Sequence, residues 1–112
     1  MANGILALAF PNPGTDTIAY TVPAGMCASV AVNVCNTGIA TNIRIAVRRA
    51  SDTSFIEYDV PLGGASSGAN SLYARAIVLD AGQQLIVRSS GAGTHFTVTG
   101  YEQPSSMIAV DM

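Results

Sequence analysis

The sequence predicts an all-β fold, a single-domain β-sandwich of jelly-roll type with about seven or eight short antiparallel strands. Three observations carry this. Apolar residues alternate with polar or small ones over short runs, as they must when a pleated strand buries one face. Gly, Pro, Asn and Asp interrupt these runs at regular spacing. No segment sustains apolar positions at the helical period.

Ile5 to Phe10 is an apolar segment that serves either as a first strand or as an arm docking on a neighbour. Pro11 to Asp16 is a loop, so residues 1–13 form a possible N-terminal arm. Thr17 to Val22 alternates, with Ile18, Tyr20 and Val22 on one side. Pro23-Ala24-Gly25 turns the chain. Ser29 to Arg49 reads as a central hairpin. Val30, Val32 and Val34 share one face of its first strand, and Ile43, Ile45 and Val47 share one face of its second. Asn36-Thr37-Gly38 and Thr41-Asn42 supply turn chemistry between them.

After a turn at Ala50 to Ser54, Phe55 to Val60 alternates again, with Ile56, Tyr58 and Val60 opposite Phe55, Glu57 and Asp59. Pro61 ends that strand and opens a Gly- and Ser-rich loop to Asn70, expected to be mobile. Leu72 to Leu79 is apolar on both faces towards its end, as for a strand covered on both sides. Gln84 to Arg88 and Thr94 to Tyr101 complete the set, the latter with Phe96 and Val98 inward and His95, Thr97 and Thr99 outward. A C-terminal tail, 103–112, carries Met107, Ile108 and Val110. Tails reaching a neighbouring subunit and ordinary edge strands both fit these two ends.

The chain has 112 residues, enough for one domain with a real core. Only 11% of them are charged, against about 25% in ordinary soluble domains. A surface so neutral tolerates contact with neighbours. There is no lysine, so edge strands lack a common guard against pairing. The formal charge of −2 gives no basic patch for nucleic acid. No apolar run approaches the roughly 20 residues of a membrane helix. The short apolar start lacks a basic region and does not read as a signal peptide. Cys27 and Cys35 lie about 26 Å apart if they share one strand at ~3.3 Å per residue, too far to bridge. Two buried free thiols are expected, as in a reducing cytoplasm.

Catalytic patterns are sparse. A metal site wants several converging ligands, and His95 is the single histidine. Cys27 or Cys35 with His95 and an aspartate could form a nucleophile site, but nothing in the sequence places them together. Glu57 and Asp59 share a predicted strand face about 6.6 Å apart, a spacing that suits an acid/base pair and suits a solvated face equally. No phosphate-binding glycine motif is present. Arg44 and Arg48 lie on one strand face and oppose Glu57 and Asp59 if those strands are antiparallel neighbours. Such pairs are surface salt bridges or contacts to an adjacent subunit. The expectation is a non-enzymatic chain without a cofactor.

Several segments together resemble small structural proteins of tailed bacteriophages: YTVPAG at Tyr20–Gly25, VAVNVCNTG at Val30–Gly38, NIRIAVR at Asn42–Arg48, IEYDVPL at Ile56–Leu62, IVLDAGQQLIVRSS at Ile77–Ser90 and FTVTGYE at Phe96–Glu102. In that family the Leu-Asp-Ala-Gly stretch forms a hairpin before the closing strand. The likeness spans Thr17 to Glu102 and its motifs are structural. It implies a virion component made in the bacterial host cytoplasm. Within that class it implies a capsid decoration, or cement, protein on the capsid exterior. Such a protein is a homo-oligomer, often a trimer, bound to the major capsid protein, with no nucleic-acid or membrane partner. The alternatives are a neck, tail, baseplate or fibre-adaptor component, and a host-glycan binding module using loop residues Ser66 to Asn70. The candidate interface residues are Ile5, Leu6, Leu8 and Phe10, then Arg44 and Arg48, then Met107, Ile108 and Val110.

Overall fold

The computed structural model describes residues 3–104, with 73–75 described through their backbone alone. Met107, Ile108 and Val110 lie outside the described residues. Among the described residues there are eight strands: β1 (Asn3–Ala9), β2 (Thr17–Thr21), β3 (Met26–Asn36), β4 (Thr41–Arg49), β5 (Asp52–Leu62), β6 (Ser71–Asp80), β7 (Gln84–Ser89) and β8 (Thr94–Pro104).

They form two four-stranded antiparallel sheets, ordered β1-β8-β3-β6 and β2-β7-β4-β5. The pairing β1·β8, β2·β7, β3·β6 and β4·β5 describes a long antiparallel ribbon folded at its middle. Successive rungs of that ribbon alternate between the sheets, and β3·β8 and β4·β7 pairs close each layer. This is the jelly-roll arrangement of an all-β sandwich.

The central hairpin is corrected by this topology. β3 and β4 lie in different sheets, and each has strand neighbours on both sides. The Leu-Asp-Ala-Gly hairpin is corrected in the same way, since β6 and β7 also lie in different layers. The physical cause of the first crossing is Asn36, which is fully buried. Its side-chain amide donates to the carbonyls of Ile39 (2.7 Å) and Gly63 (2.9 Å), and its Oδ1 accepts from Gly38 N–H (3.0 Å). Those bonds turn the chain out of one sheet and tie the loop after β3 to the loop after β5. The 63–70 loop, expected to be mobile, is braced by Gly63 N–H to Ala69 C=O and Ser67 N–H to Gly64 C=O, both 2.9 Å. Among the described strands the sequential pair that forms a hairpin is β4–β5, with Arg49 opposite Asp52 and Ala50 in the left-handed region at φ 54°.

The core follows the alternation where strands are regular. Val30, Val32 and Val34, Ile43 and Ile45, and Phe96 and Val98 are all buried between the sheets. Val47 packs against their edge. Burying such a side chain is worth about 1.5–3 kcal/mol, so these rows dominate the stability.

Five placements depart from expectation. Ile18 is exposed because the β2·β7 register shifts between Ile18 and Tyr20. Tyr58 is exposed and touches Phe55, because two register shifts interrupt β5 and Asp59 sits at φ 52°. A bulge moves every later side chain to the other face. Val78 is 71% exposed because it points to the outer face of its sheet, in the row with Ser29 and Tyr101, so β6 is covered on its inner face alone. Cys35 is exposed on the outward face of β3, while Cys27 on the same strand is buried, and both are free. Pro61 falls inside β5 instead of ending it, which an edge strand tolerates.

One contact straps the two layers together. The Tyr20 hydroxyl, on β2, donates to the Glu102 carboxylate, on β8. Burial, the hydrogen bond to Glu102 and its negative charge all push the phenol pKa well above its ordinary value.

Candidate functional site

Two outward faces are available, one on each sheet. They lie on opposite sides of the sandwich.

The outer face of the β1-β8-β3-β6 sheet carries uncharged rows among the described side chains. Three rows cross it in register: Asn3, Tyr101, Ser29 and Val78; then Ile5, Thr99 and Ala31; then Leu8, Thr97 and Asn33. None of these residues is charged. Ile5, Leu8, Val78 and Tyr101 are at least half exposed. Phe10 continues the face, its ring stacked on His95 at 4.5 Å between centroids. Leu6, by contrast, sits at the β1 register shift and packs partly onto the core. β1 is therefore a hydrogen-bonded edge strand that shows Ile5 and Leu8 to solvent, and Phe10 just after it is exposed as well.

On the same face, Cys35 and His95 are direct cross-strand partners. They line a hollow of about 300 Å³ with Asn33, Thr97, Ser71 and Leu72. The structure thus places together two of the three groups of the nucleophile reading. Among the described residues, the lining of that hollow holds no carboxylate to orient the imidazole.

The outer face of the β2-β7-β4-β5 sheet carries charge and aromatic surface. Arg44 Nε donates to Asp59 Oδ1 at 2.6 Å and its NH2 group to Oδ2 at 3.3 Å, a fork on a carboxylate. The same guanidinium lies 4.4 Å from the Tyr58 ring centroid, and Phe55 meets that ring edge-on at 4.8 Å. The hydrogen bond from Arg44 holds the Asp59 carboxyl below the usual carboxylate range and raises the Arg44 pKa in return. This uses Asp59 as an ion-pair partner rather than as half of an acid/base pair, and Glu57 joins no ion pair among the described residues.

Arg88 stands directly opposite Arg44 on β7 and donates to Asp16 at 3.4 Å. Arg48 donates to the Gln84 side-chain oxygen at 3.4 Å and has no carboxylate partner among the described residues. Beneath them Ala46 and Ile86 are buried. Sequence reasoning singled out Arg44 and Arg48 but not Arg88, Phe55 or Tyr58. The signal for Arg88 was its place on an alternating strand, readable only once β7 is known to neighbour β4.

Among the described residues no group of three or more His, Cys, Asp or Glu converges to hold a metal ion. No helix among them is long and apolar enough to cross a membrane. The fold and its two faces define an all-β jelly-roll sandwich. The chain matches no protein-family model and no curated protein.

Proposed function

We propose that this chain is an adhesive structural subunit of a tailed-bacteriophage particle, a capsid decoration protein that binds the assembled head shell. The observation that carries the proposal is the trio of uncharged rows on the outer face of the β1-β8-β3-β6 sheet, with Ile5, Leu8, Val78 and Tyr101 exposed. An apolar and hydroxyl-rich set of rows pays little desolvation when it meets another protein. The resemblance of Thr17 to Glu102 to phage structural proteins supplies the class of partner, the major capsid protein, and a homotrimer as the bound form.

The mechanism is mass action. A subunit that binds the expanded shell and not its precursor stabilises the expanded state by RT ln(1 + [L]/Kd) per site, about 2.7 kcal/mol when free protein stands at 100 times Kd. Repetition over the lattice multiplies a modest contact.

The test is rebinding of the purified chain to particles stripped of it, together with a count of copies per particle. Hundreds of copies and saturable rebinding are expected. A dozen copies or fewer assigns the chain to the neck or tail instead. Leu8→Glu places a charge in the neutral rows at a side chain that is 72% exposed. It should change stability by no more than about 0.5 kcal/mol and abolish rebinding. Rebinding of the variant at full affinity overturns the assignment of this face.

A further inference from the structure

We infer that the hollow among Arg44, Arg48 and Arg88, on the side of the sandwich away from the neutral rows, is a carboxylate-recognition site that takes an acidic side chain of a partner protein. The hollow has a volume of about 260 Å³. That is below the roughly 300–1,000 Å³ of small-molecule sites, and it suits one inserted side chain.

The arrangement is unusual for a sheet. Arg44 and Arg88 are direct cross-strand neighbours, and like charges so placed oppose pairing. Asp59 and Asp16 offset that repulsion from either side. Arg48 lies on the same face of β4, about 13 Å along the strand from Arg44 at ~3.3 Å per residue. At the hollow itself, three guanidinium groups less the Asp59 and Asp16 carboxylates paired to two of them leave one positive charge, in a chain whose formal charge is −2. The unmatched cation is Arg48, whose described contact is a neutral amide oxygen.

One excess positive charge matches one carboxylate. A phosphate dianion or a nucleic-acid backbone brings more negative charge than the hollow can match, and the excess is left facing Asp16 and Asp59. The floor of buried Ala46 and Ile86 and the Phe55 wall are apolar, which suits the methylene stem of a glutamate. Planar guanidinium forks fix the direction of the incoming carboxylate, so the site sets register as well as attraction. Arg48 and Arg88 are half-buried at the rim, so solvent and salt screen them less than fully exposed charges.

The proposal rests on the adhesive reading only in taking the ligand from a protein. Its test needs no particle. The isotope-labelled full chain is titrated with a blocked Val-Glu-Val tripeptide, and in parallel with Val-Gln-Val and with inorganic phosphate. Shifts at the Arg44, Arg48 and Arg88 side-chain N–H groups and at the Ala46 and Ile86 amides are expected with the glutamate peptide. The glutamine peptide and phosphate should bind at least tenfold more weakly. Arg48→Gln should weaken glutamate-peptide binding at least tenfold while leaving the remaining spectrum in place. Equal response to both peptides, tighter binding of phosphate, no response at this face, or undiminished binding by the variant overturns the assignment. Shell rebinding is measured separately, so failure at one face leaves the other result standing.

Discussion

Gly100→Ala is the substitution whose cost the structure sets most directly. Gly100 sits in the middle of β8 at φ +149°, a conformation L side chains rarely adopt. Holding a residue with a Cβ there costs about 1–3 kcal/mol. The added Cβ would also lie 1.8 Å from the Ser29 carbonyl oxygen and 3.0 Å from Val30 Cα. Carbon–oxygen contacts normally begin near ~3.3 Å, and both obstacles are backbone, so no side chain can move aside. β8 must retreat from β3 at the point where Val30 opposes Gly100. Each ladder bond opened there costs about 0.5–1.5 kcal/mol. With two such bonds opened the sum is about 2–6 kcal/mol, a large share of the 5–15 kcal/mol that holds a typical domain folded.

The assay is urea unfolding followed by far-ultraviolet circular dichroism, with Gly68→Ala as the control, since a Cβ at Gly68 meets nothing within 4 Å. With a slope of about 1–3 kcal/mol per molar, the Gly100→Ala midpoint should fall by roughly 2 M. The control should stay within a few tenths of wild type. If both variants unfold at the wild-type midpoint, the close approach of β8 to β3 is not real and the reasoning fails.

Three further outcomes are expected. Tyr20→Phe removes the hydroxyl that bridges the two sheets and leaves Glu102 without its donor; thermal unfolding should show a loss of about 1.5–3 kcal/mol. Because the folded phenol pKa is raised above the unfolded value near ~10, its contribution is complete below that pH and is lost as pH rises further. Wild type should therefore weaken at strongly alkaline pH more steeply than the Phe variant, and parallel pH profiles would rule out the strap. Asn36→Ala strands the Ile39 and Gly63 carbonyls and the Gly38 N–H, and should cost about 1–3 kcal/mol in denaturant melts. Amide exchange should rise in both the 36–41 and 63–70 loops, whereas a change in one loop alone would show that Asn36 does not couple them. Val32→Asp buries an unpaired carboxylate at a side chain only 1% exposed and should yield no folded protein; a soluble, cooperatively folded variant would mean the face assignment of β3 is mistaken.

The alternation of Val30, Val32 and Val34 with smaller residues, and of Phe96 and Val98 with His95 and Thr97, made those faces legible from residues alone. Period-two burial is a local property of the pleated backbone, so it survives whatever the strand pairs with. The same logic misled at Ile18 and Tyr58, where bulges reset the period and the sequence carries no mark of them. The Arg44 to Asp59 fork was foreseeable as a cross-strand pair, because β4 and β5 are joined by a short turn and pair locally. Arg88 could not be added to that face, nor Ile5 and Leu8 to the rows of β8 and β3, without knowing the partners of distant strands.

By itself, then, the order of amino acids determined the all-β class, the positions of the strands and the inward faces of the regular ones. Apart from the locally joined β4–β5 pair, which strand lies beside which was decided only in three dimensions. Asn3 pairs with Tyr101 and Thr17 with Val87, far apart in the chain. The physical reason is that every strand edge offers the same backbone donors and acceptors. The choice among edges is settled by the joint burial of all the apolar faces at once, and no single segment encodes that sum.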